Sequence, residues 1–403
     1  MSRSAWALPA LASVAFIGLG LPDGLLGVAW PSIRDGFELP LDALGALLIS
    51  FTAGYVVSSF SGGYLVRGMG LGALLAASCL ATAASLFGYT AAPAWWVMVA
   101  LASVAGAGAG GIDTGINTYA ATHHGPRMLN WLHACYGVGA ASGPAIMIAV
   151  FAAQLPWQRG YQLVAAAQVA LGLAFLATLH AWPAATRDGK TGARVGPPVS
   201  ILETLGLPVA RWSIALFVLY TGVELSVGSW AYTVLTEARA VEPMSAAAWT
   251  SAYWAALTAG RLLGAALVVR VGIVPLLRIS TALVAAGLAV FGFGWSLAGL
   301  VLAGTAAGPI FPSLIAVTPA RVGARHAANA VGFQVAGAAL GQAVVPSMLG
   351  VLADTFGFGV FLFTLAVLST SLMLVHERVI RCVPSGDASS LVHQPVLVES
   401  GER

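Results

Sequence analysis

The chain consists of long apolar runs separated by short polar breaks. A membrane-spanning helix needs roughly 20 mostly apolar residues to cross the hydrocarbon core of a bilayer. Backbone polar groups in lipid must find their partners within the segment, which favours a helix for runs of this length. The pattern predicts twelve spans, at residues 7–31, 43–64, 71–91, 95–121, 128–153, 161–182, 210–235, 246–270, 273–295, 297–319, 327–350 and 356–376.

The composition excludes most other classes of protein. Of the 403 residues, 59% are hydrophobic and 8% are charged, whereas an ordinary soluble domain has about 25% charged residues. A soluble globular enzyme and a disordered chain are therefore both excluded. The net charge of +3 is small and scattered, and no basic stripe with aromatic residues predicts nucleic-acid binding. We predict an all-α membrane protein that is embedded in the lipid bilayer.

The distribution of basic residues predicts the orientation of the chain. With both termini in the cytoplasm, fourteen Lys and Arg residues fall on the inner side, three on the outer side, and Arg261 inside a span. Cytoplasmic loops carry an excess of Lys and Arg, so this orientation is favoured. The single lysine against seventeen arginines is typical of a GC-rich bacterial genome. We therefore expect a multi-pass protein of the plasma membrane, which is the inner membrane in bacteria.

The longest predicted loop divides the chain into two halves. It is rich in Pro and Gly, which stop helices, and its basic residues favour water. We predict an N-terminal six-helix bundle at 1–182, a cytoplasmic linker at 183–209, a C-terminal six-helix bundle at 210–378 and a cytoplasmic tail at 379–403.

The two halves repeat each other. The segment Arg127–Gly143 of the fifth span shares its spacing of Arg, Asn and paired Gly with Arg325–Gly341 of the eleventh. Leu65–Gly70, after the second span, corresponds to Val268–Gly272, after the eighth. Six-helix repeats are typical of transporters in which two pseudo-symmetric bundles rock about a site near the bilayer midplane. Glycines spaced by four allow helices to approach closely, and static packing explains them equally well.

Four charged side chains lie well inside the predicted spans, away from their ends: Asp23, Asp113, Glu224 and Arg261. A charge at the centre of a membrane helix costs about 2.5–3.5 kcal/mol, so these groups must pair, take up protons or face water. We predict that Asp23 and Asp113, on the first and fourth spans, bind the coupling ion. Each could instead be a structural carboxyl bonded to a neighbouring helix. For Glu224 and Arg261 three interpretations stay open. The two residues form an ion pair, Glu224 contacts the solute, or the pair opens and closes as a gate and so does both.

Several polar and aromatic side chains fall on the same spans. Asn117 is four residues after Asp113 and therefore shares its helix face. A single histidine in a span, such as His133, is a plain hydrogen-bonding group as often as it is a solute-binding or proton-binding group. Many membrane tryptophans merely lie at the interface. With those alternatives open, we predict that six residues contact a hydroxyl-rich solute: Asn117, Asn130, His133, Glu224, Trp230 and Gln334.

Signatures of catalysis are absent from the sequence. It contains no G-x-x-x-x-G-K-[ST], no H-E-x-x-H and no G-x-S-x-G motif. Cys79, Cys135 and Cys382 have neither metal-site nor disulfide spacing. We therefore predict that the protein is not an enzyme and uses no metal and no cofactor, apart from a coupling ion that we expect to be H⁺.

The motifs together resemble the fucose permease group of the major facilitator superfamily. The resemblance covers nearly the whole chain and is carried by Gly20–Pro31, Asp113–Asn117, Leu129–His133, Tyr220–Glu224, Gly260–Arg261 and Gly308–Pro312. It implies the major facilitator fold of twelve helices in two six-helix bundles. The group contains sugar symporters driven by protons and sodium-linked glucose carriers.

The resemblance also implies roles for individual residues. In the proton-driven members, acids on helices one and four carry ion coupling and sugar recognition, and Asp23 and Asp113 match those helices. The fucose carriers have a glutamate on helix four, where this chain has Asp113. The superfamily's loop after helix two bears an aspartate with basic residues. Here Gly62–Gly68 keeps Arg67 and lacks the acid, so we predict a gating role for Arg67 through a different contact.

The leading hypothesis is a secondary active transporter that moves a small polar solute, foremost a sugar, by proton symport with alternating access. One alternative is an efflux carrier that exports drugs or other small molecules by proton antiport, and another is a sodium-linked sugar carrier. A non-transporting membrane receptor or scaffold would have no need for the costly intramembrane acids. The predicted partners are the solute and the bilayer, with no nucleic acid, and the predicted oligomeric state is a monomer.

Overall fold

The computed structural model describes residues 7–39, 43–183, 199–293 and 296–382. Most of the predicted linker, at 184–198, and most of the predicted tail, at 383–403, lie outside the described residues. The helices are α1 (Ala7–Gly36), α2 (Leu44–Met69), α3 (Leu71–Thr90), α4 (Trp95–His123), α5 (Pro126–Ala152), α6 (Gln158–Ala177), α7 (Ile201–Gly206), α8 (Pro208–Thr233), α9 (Pro243–Val271), α10 (Ile273–Gly292), α11 (Ala298–Ala307), α12 (Ile310–Ala316), α13 (Thr318–Val322), α14 (Ala324–Phe356) and α15 (Gly359–Arg381).

The all-α prediction is confirmed. The described residues hold twelve helical spans long and apolar enough to cross a membrane, and no strand occurs among them. The tenth span differs from the continuous helix that we predict, because it divides at Gly308-Pro309 into α11 and α12. Proline has no amide hydrogen to continue the helical ladder and its ring clashes with the preceding turn. Part of the predicted linker is also helical, since Ser200 caps the short α7 by accepting from the Glu203 amide at 3.0 Å.

Large apolar side chains cover the outside of the helices. Ile49 is 72% exposed and Phe363 is 69% exposed, and both lie within long apolar helices. A water-soluble monomer rarely presents contiguous apolar patches of any size. Such a surface is stable against lipid tails, which agrees with twelve membrane spans.

The described residues form two compact units. Unit 1 contains 7–39, 43–119, 132–183, 199 and 327–336, and unit 2 contains 120–131, 200–293, 296–326 and 337–382. The bundle boundaries that the sequence predicts at 182 and 210 remain a prediction.

Unit 1 is held together by glycines at helix contacts. A Cβ added to Gly139 of α5 would lie 2.0 Å from the Ile17 carbonyl oxygen of α1. A Cβ added to Gly54 of α2 would lie 1.9 Å from the Ser103 carbonyl oxygen of α4. Small residues at these points let the backbones approach closely, which is how membrane helices gain packing energy without a hydrophobic driving force.

Unit 2 repeats this packing at the corresponding helices. A Cβ added to Gly341 of α14 would lie 2.3 Å from the Val218 carbonyl oxygen of α8. A Cβ added to Gly260 of α9 would lie 2.1 Å from the Thr305 carbonyl oxygen of α11. In both units, glycines thus lie at contacts between the corresponding pairs of spans.

Sharp turns between helices repeat as well. Gly70, between α2 and α3, has φ 83°, and Gly272, between α9 and α10, has φ 80°. This left-handed conformation costs other residues about 1–2 kcal/mol, so glycine allows each pair of long helices to be joined by one residue. The turns end the second and eighth spans at equivalent points of the repeat.

Candidate functional site

A hydrogen-bonded chain of polar side chains surrounds Asp113 in unit 1. Asn117, one turn further along α4, donates from Nδ2 to Asp113 Oδ1 at 2.6 Å, and Tyr55 of α2 donates its hydroxyl to Asp113 Oδ2. His133 Nε2 of α5 lies 3.3 Å from Asn117 Oδ1, and the ring of Phe16 of α1 packs edge-on against the imidazole, with centroids 5.4 Å apart. Four helices therefore contribute to one network, which is the arrangement expected of a polar site inside a bundle.

Burial makes this network costly unless it is fully bonded. Asn117 is 0% exposed, and Asp113 and His133 are only slightly exposed. A buried carboxylate is tolerated when it is paired or hydrogen-bonded, and the neutral acid is favoured where the surroundings are apolar. The two donors to Asp113 give this buried carboxyl the hydrogen bonds that it requires.

Asp23 is held by a second tyrosine. Tyr136 of α5 donates its hydroxyl to Asp23 Oδ2 at 2.6 Å. Asp23 itself is exposed, although it lies on the membrane-spanning α1 directly after Pro22. The proline removes a backbone hydrogen bond at this point of α1, so the carboxyl sits where the helix is locally irregular and accessible.

The two acids share one neighbourhood in unit 1. The Tyr55 hydroxyl that bonds Asp113 also interacts electrostatically with Asp23 and Tyr136. Tyr55 thus links the surroundings of the two acids within unit 1.

Unit 2 contains a buried ion pair at the position that the repeat gives Asp23. Arg261 Nη2 of α9 lies 3.4 Å from Glu224 Oε1 of α8, and the two side chains are 11% and 10% exposed. Tyr253 donates its hydroxyl to the Glu224 backbone oxygen at 2.8 Å, and Tyr220 donates to the Ala307 carbonyl at 2.8 Å. The acid and the base that the sequence places inside spans therefore compensate each other's charge, and a solute contact by Glu224 would require this pair to loosen.

The Trp230 side chain joins α8 to α14. Its indole Nε1 donates to the Pro346 carbonyl of α14 at 3.0 Å. The ring also borders an open pocket in unit 2 together with Ser229, Thr233 and Ser347. Because the indole N–H is already bonded to the Pro346 carbonyl, a solute would contact Trp230 by stacking on the face of the ring.

The remaining predicted residues are Asn130, Arg67 and Gln334. Asn130 in unit 2 is 0% exposed and donates to the Pro126 carbonyl of its own helix at 2.8 Å. Arg67 in unit 1 donates from Nη1 to Asn329 Oδ1 at 3.0 Å, and Gln334 is buried with 1% exposure. Arg67 thus contacts an amide where the superfamily pattern has an aspartate.

Three residues near the acids are not foreseen from the sequence: Tyr55, Tyr136 and Gln168. Tyrosine is common at membrane interfaces, so its presence in a span carries little information by itself. Tyr136 follows His133 by three residues on α5 and therefore shares its face, which is the one signal that could have identified it.

The sequence of the chain matches the family model of the Major Facilitator Superfamily over residues 12–346. The chain belongs to this superfamily. No protein among the curated sequences matches it.

Solved structures of superfamily transporters share the fold. Two structures of FucP, one in the outward conformation and one of the E. coli fucose:proton symporter, match with TM-scores of 0.77 and 0.76. Each is 16% identical and covers 94% of this chain and 99% of its own. The proton:xylose symporter XylE matches with a TM-score of 0.73 at 14% identity, over 96% of this chain and 99% of that chain.

The human organic anion transporter TETRAN also matches, with a TM-score of 0.66 at 16% identity, over 93% of this chain and 100% of that chain. At these identities the likeness establishes the major facilitator fold, and the predicted fold class is confirmed.

Proposed function

We propose that the protein is a secondary active transporter that moves a small hydroxylated solute, a sugar, together with protons by alternating access. The observation that carries the proposal is the bonded chain from Tyr55 through Asp113 and Asn117 to His133, inside a membrane-spanning unit. An acid of this kind is expensive in a membrane and is a functional group by default. Fucose and xylose symporters with the same fold support the choice of solute and of coupling ion.

The proposal assigns a role to each group of residues. Asp113 and Asp23 carry the proton. The amide, imidazole, carboxylate and ring groups that contact the solute are Asn117, Asn130, His133, Glu224, Trp230 and Gln334. Arg261 and Arg67 act as gates, since each bonds a side chain of another helix, and helix movement could break that contact.

The chemistry of the network favours a sugar over an apolar or cationic compound. Amide, imidazole and tyrosine groups each donate and accept hydrogen bonds, which is what a ring of hydroxyl groups requires. An apolar cargo would offer these groups no hydrogen bonds in exchange for the ones that they make to each other.

The proposed setting follows from the basic residues. We place the protein in the bacterial inner membrane with both termini in the cytoplasm, as a monomer of two six-helix halves. It acts as a carrier and not as an enzyme, without a resident cofactor. A proton that enters gains about 2.3 kcal/mol per 100 mV, so one proton per solute can support accumulation of well over tenfold.

The experiment compares Asp113→Asn with the wild type in proteoliposomes. We expect the variant to lose accumulation driven by a pH gradient and to keep exchange of labelled sugar against unlabelled sugar, because exchange needs no net proton movement. Asp35→Asn is the matched control, since Asp35 is an exposed acid at the end of α1 bonded to Arg34. If Asp113→Asn still accumulates sugar as fully as the wild type under a pH gradient, Asp113 is not the residue that couples transport to the proton.

The solute for this assay comes from a thermal-shift screen of sugars at two pH values, with and without sodium. Stabilisation that requires sodium would favour a sodium-linked carrier. Resistance of expressing cells to toxic compounds, lost in Glu224→Gln, would favour efflux by proton antiport.

A further inference from the structure

The orientation of the Asn117 side-chain amide follows from its bond to Asp113. Asn117 Nδ2 lies 2.6 Å from Asp113 Oδ1, and an ionised carboxylate can only accept hydrogen bonds. The nitrogen of the amide must face the carboxylate, because the amide oxygen in its place would set two acceptors against each other. The amide oxygen then lies on the side of His133, 3.3 Å from the Nε2 atom of the imidazole.

This orientation determines which nitrogen of His133 carries the proton. An amide oxygen can only accept, so the Nε2 atom of His133 must be the donor of the 3.3 Å bond. In the neutral imidazole Nδ1 is then the acceptor. Ionised Asp113 on α4 therefore selects the Nε2–H tautomer of a histidine on α5.

A proton on Asp113 reverses each of these roles. Bound at Oδ1, the proton makes that oxygen a donor, which the amide nitrogen of Asn117 cannot accept. Rotation of the amide by half a turn brings its oxygen to Asp113 and its nitrogen to His133. Nε2 of His133 must then accept, so the neutral imidazole carries its proton on Nδ1. Both hydrogen bonds of Asn117 are kept, with donor and acceptor exchanged.

The Oδ1 oxygen of Asp113 is the one at which a proton can bind without the loss of a bond. Oδ2 already accepts the Tyr55 hydroxyl, and a proton there would displace the single hydroxyl proton of Tyr55 from its acceptor. The Asn117 amide has a donor end and an acceptor end, and either end can face Asp113. Because Asn117 is fully buried, an arrangement that keeps both of its bonds is strongly favoured.

We propose that Asn117 is the positioning residue that couples a proton on Asp113 to the tautomer of His133. This inference rests on the proposed role of Asp113 in coupling. Asp113 forms one O–H bond with a proton taken from water. His133 releases its Nε2 proton to water and takes up another at Nδ1, so the site gains one proton and the imidazole stays neutral. Proton binding thus converts Nδ1 of His133 from an acceptor into a donor, which changes the hydrogen bond that it offers to a solute hydroxyl.

Other titratable groups surround Asp113 on the neighbouring helices. Tyr55 of α2 bonds Asp113, and Asp23 of α1 and Tyr136 of α5 interact electrostatically with Tyr55. The α3 side chains nearest to the glycines of this part of α4 are leucine, serine and threonine, which do not titrate. A change of pH can act through any of these acids, so the test includes a variant in which Asp113 itself cannot take up a proton.

NMR spectroscopy of the purified protein with ¹⁵N-labelled histidine rings tests the proposal, because protonated and unprotonated ring nitrogens resonate at well-separated frequencies. The signals of His133 are identified by their loss in His133→Gln. At high pH we expect Nε2 of His133 to be protonated and Nδ1 to be unprotonated. As the pH is lowered, we expect the two nitrogens to exchange these states. In Asp113→Asn the tautomer should not exchange, because no carboxyl is left at this position to bind the proton.

Asn117→Leu tests the amide itself, since leucine has a similar size and no donor or acceptor. We expect the tautomer of His133 to stop following the pH in this variant. Gln162→Leu is the matched control: Gln162 is an amide of the same unit that accepts from Arg159 Nη1 at 2.9 Å, and the exchange should persist without it.

An exchange that persists in Asn117→Leu would overturn the proposal. If Asn117→Leu does not fold, the wild type decides alone. There, one tautomer of His133 at every pH, or protonation of both ring nitrogens in place of an exchange, would overturn the proposal.

The measurement needs no transport, so it fails independently of the proposed function. Sugar uptake driven by a pH gradient together with an unchanged tautomer would leave the symporter and remove the role of Asn117. An exchange of tautomers without pH-driven uptake would keep the role of Asn117 and remove proton symport.

Discussion

At the residue scale, tyrosine hydroxyls hold the acids of unit 1. Removing the Tyr136 hydroxyl with Tyr136→Phe deletes the 2.6 Å bond to Asp23. Hydrogen bonds to charged groups contribute about 1.5–3 kcal/mol, and we expect the lower end because Asp23 is accessible. The measurement is the free energy of unfolding in detergent micelles at neutral pH.

The control for this prediction is Tyr64→Phe. Tyr64 is 66% exposed on α2, and exposed substitutions usually change stability by about 0.5 kcal/mol or less. Equal losses in Tyr136→Phe and Tyr64→Phe would mean that the bond to Asp23 contributes nothing specific.

The Glu224–Arg261 pair allows a sharper test, because a buried charge is costly when its partner is removed. We expect Arg261→Gln to lose about 3–5 kcal/mol of stability. Adding Glu224→Gln should restore much of that loss, since no uncompensated charge then remains. Arg278→Gln is the matched control: its pair with Glu377 is exposed, and such pairs contribute about 0–1 kcal/mol. A double variant no more stable than Arg261→Gln would contradict a compensating pair.

Sequence reasoning at this scale finds the costly residues and misses those of their partners that only tertiary packing supplies. A charge inside an apolar run stands out by its energetic cost, so Asp23, Asp113 and Glu224 can be identified without coordinates. Tyr55 lies on a different helix from Asp113, and only tertiary packing brings the two together. Gln168 is missed for the same reason, because its partner is a carbonyl that Pro22 frees on another helix.

At the scale of the helices, glycines set how closely neighbours approach. Gly139→Ala would place its Cβ 2.0 Å from a backbone oxygen of α1, so α1 and α5 must separate. Overpacking of this kind costs about 1–3 kcal/mol. Gly68→Ala in α2 meets nothing within 4 Å and should be neutral or stabilising by up to about 1 kcal/mol. Thermal unfolding of both variants measures the difference, and a tolerated Gly139→Ala would show that α1 and α5 are free to move apart.

The sequence predicts the twelve spans, but it does not predict where a helix is interrupted within a span. Apolar runs of sufficient length identify all twelve, since lipid leaves few alternatives to a helix. The division of the tenth span at Gly308-Pro309 is not predicted, because the length and the hydropathy of an apolar run do not show where its helix is interrupted. Prolines do not decide the matter alone, since α14 continues through Pro346 without interruption.

At the scale of the whole molecule, the two units carry the repeat unequally. Each has glycine contacts at matching helices and a one-residue turn at a matching place. The charges differ, because unit 1 holds acids bonded by tyrosines while unit 2 balances its acid with Arg261. Because Arg261 already compensates the acid of unit 2, the proposed proton binding is assigned to the acids of unit 1.

The orientation of the whole chain can be tested with a native cysteine. Cys382 is partly exposed at the end of α15, whereas Cys79 and Cys135 are buried. If the C-terminus is cytoplasmic, a membrane-impermeant maleimide should leave Cys382 unlabelled in intact cells and label it in inside-out vesicles. Cys382→Ser should abolish that labelling.

Gln154→Cys in the Cys382→Ser background gives the opposite control. Gln154 is exposed in the turn between α5 and α6, which the excess of inner basic residues places outside. The new thiol should react in intact cells and should not react when the maleimide is added outside inside-out vesicles, because it then faces the lumen. Labelling of Cys382 in intact cells would show that the C-terminus lies outside and would invert the predicted orientation.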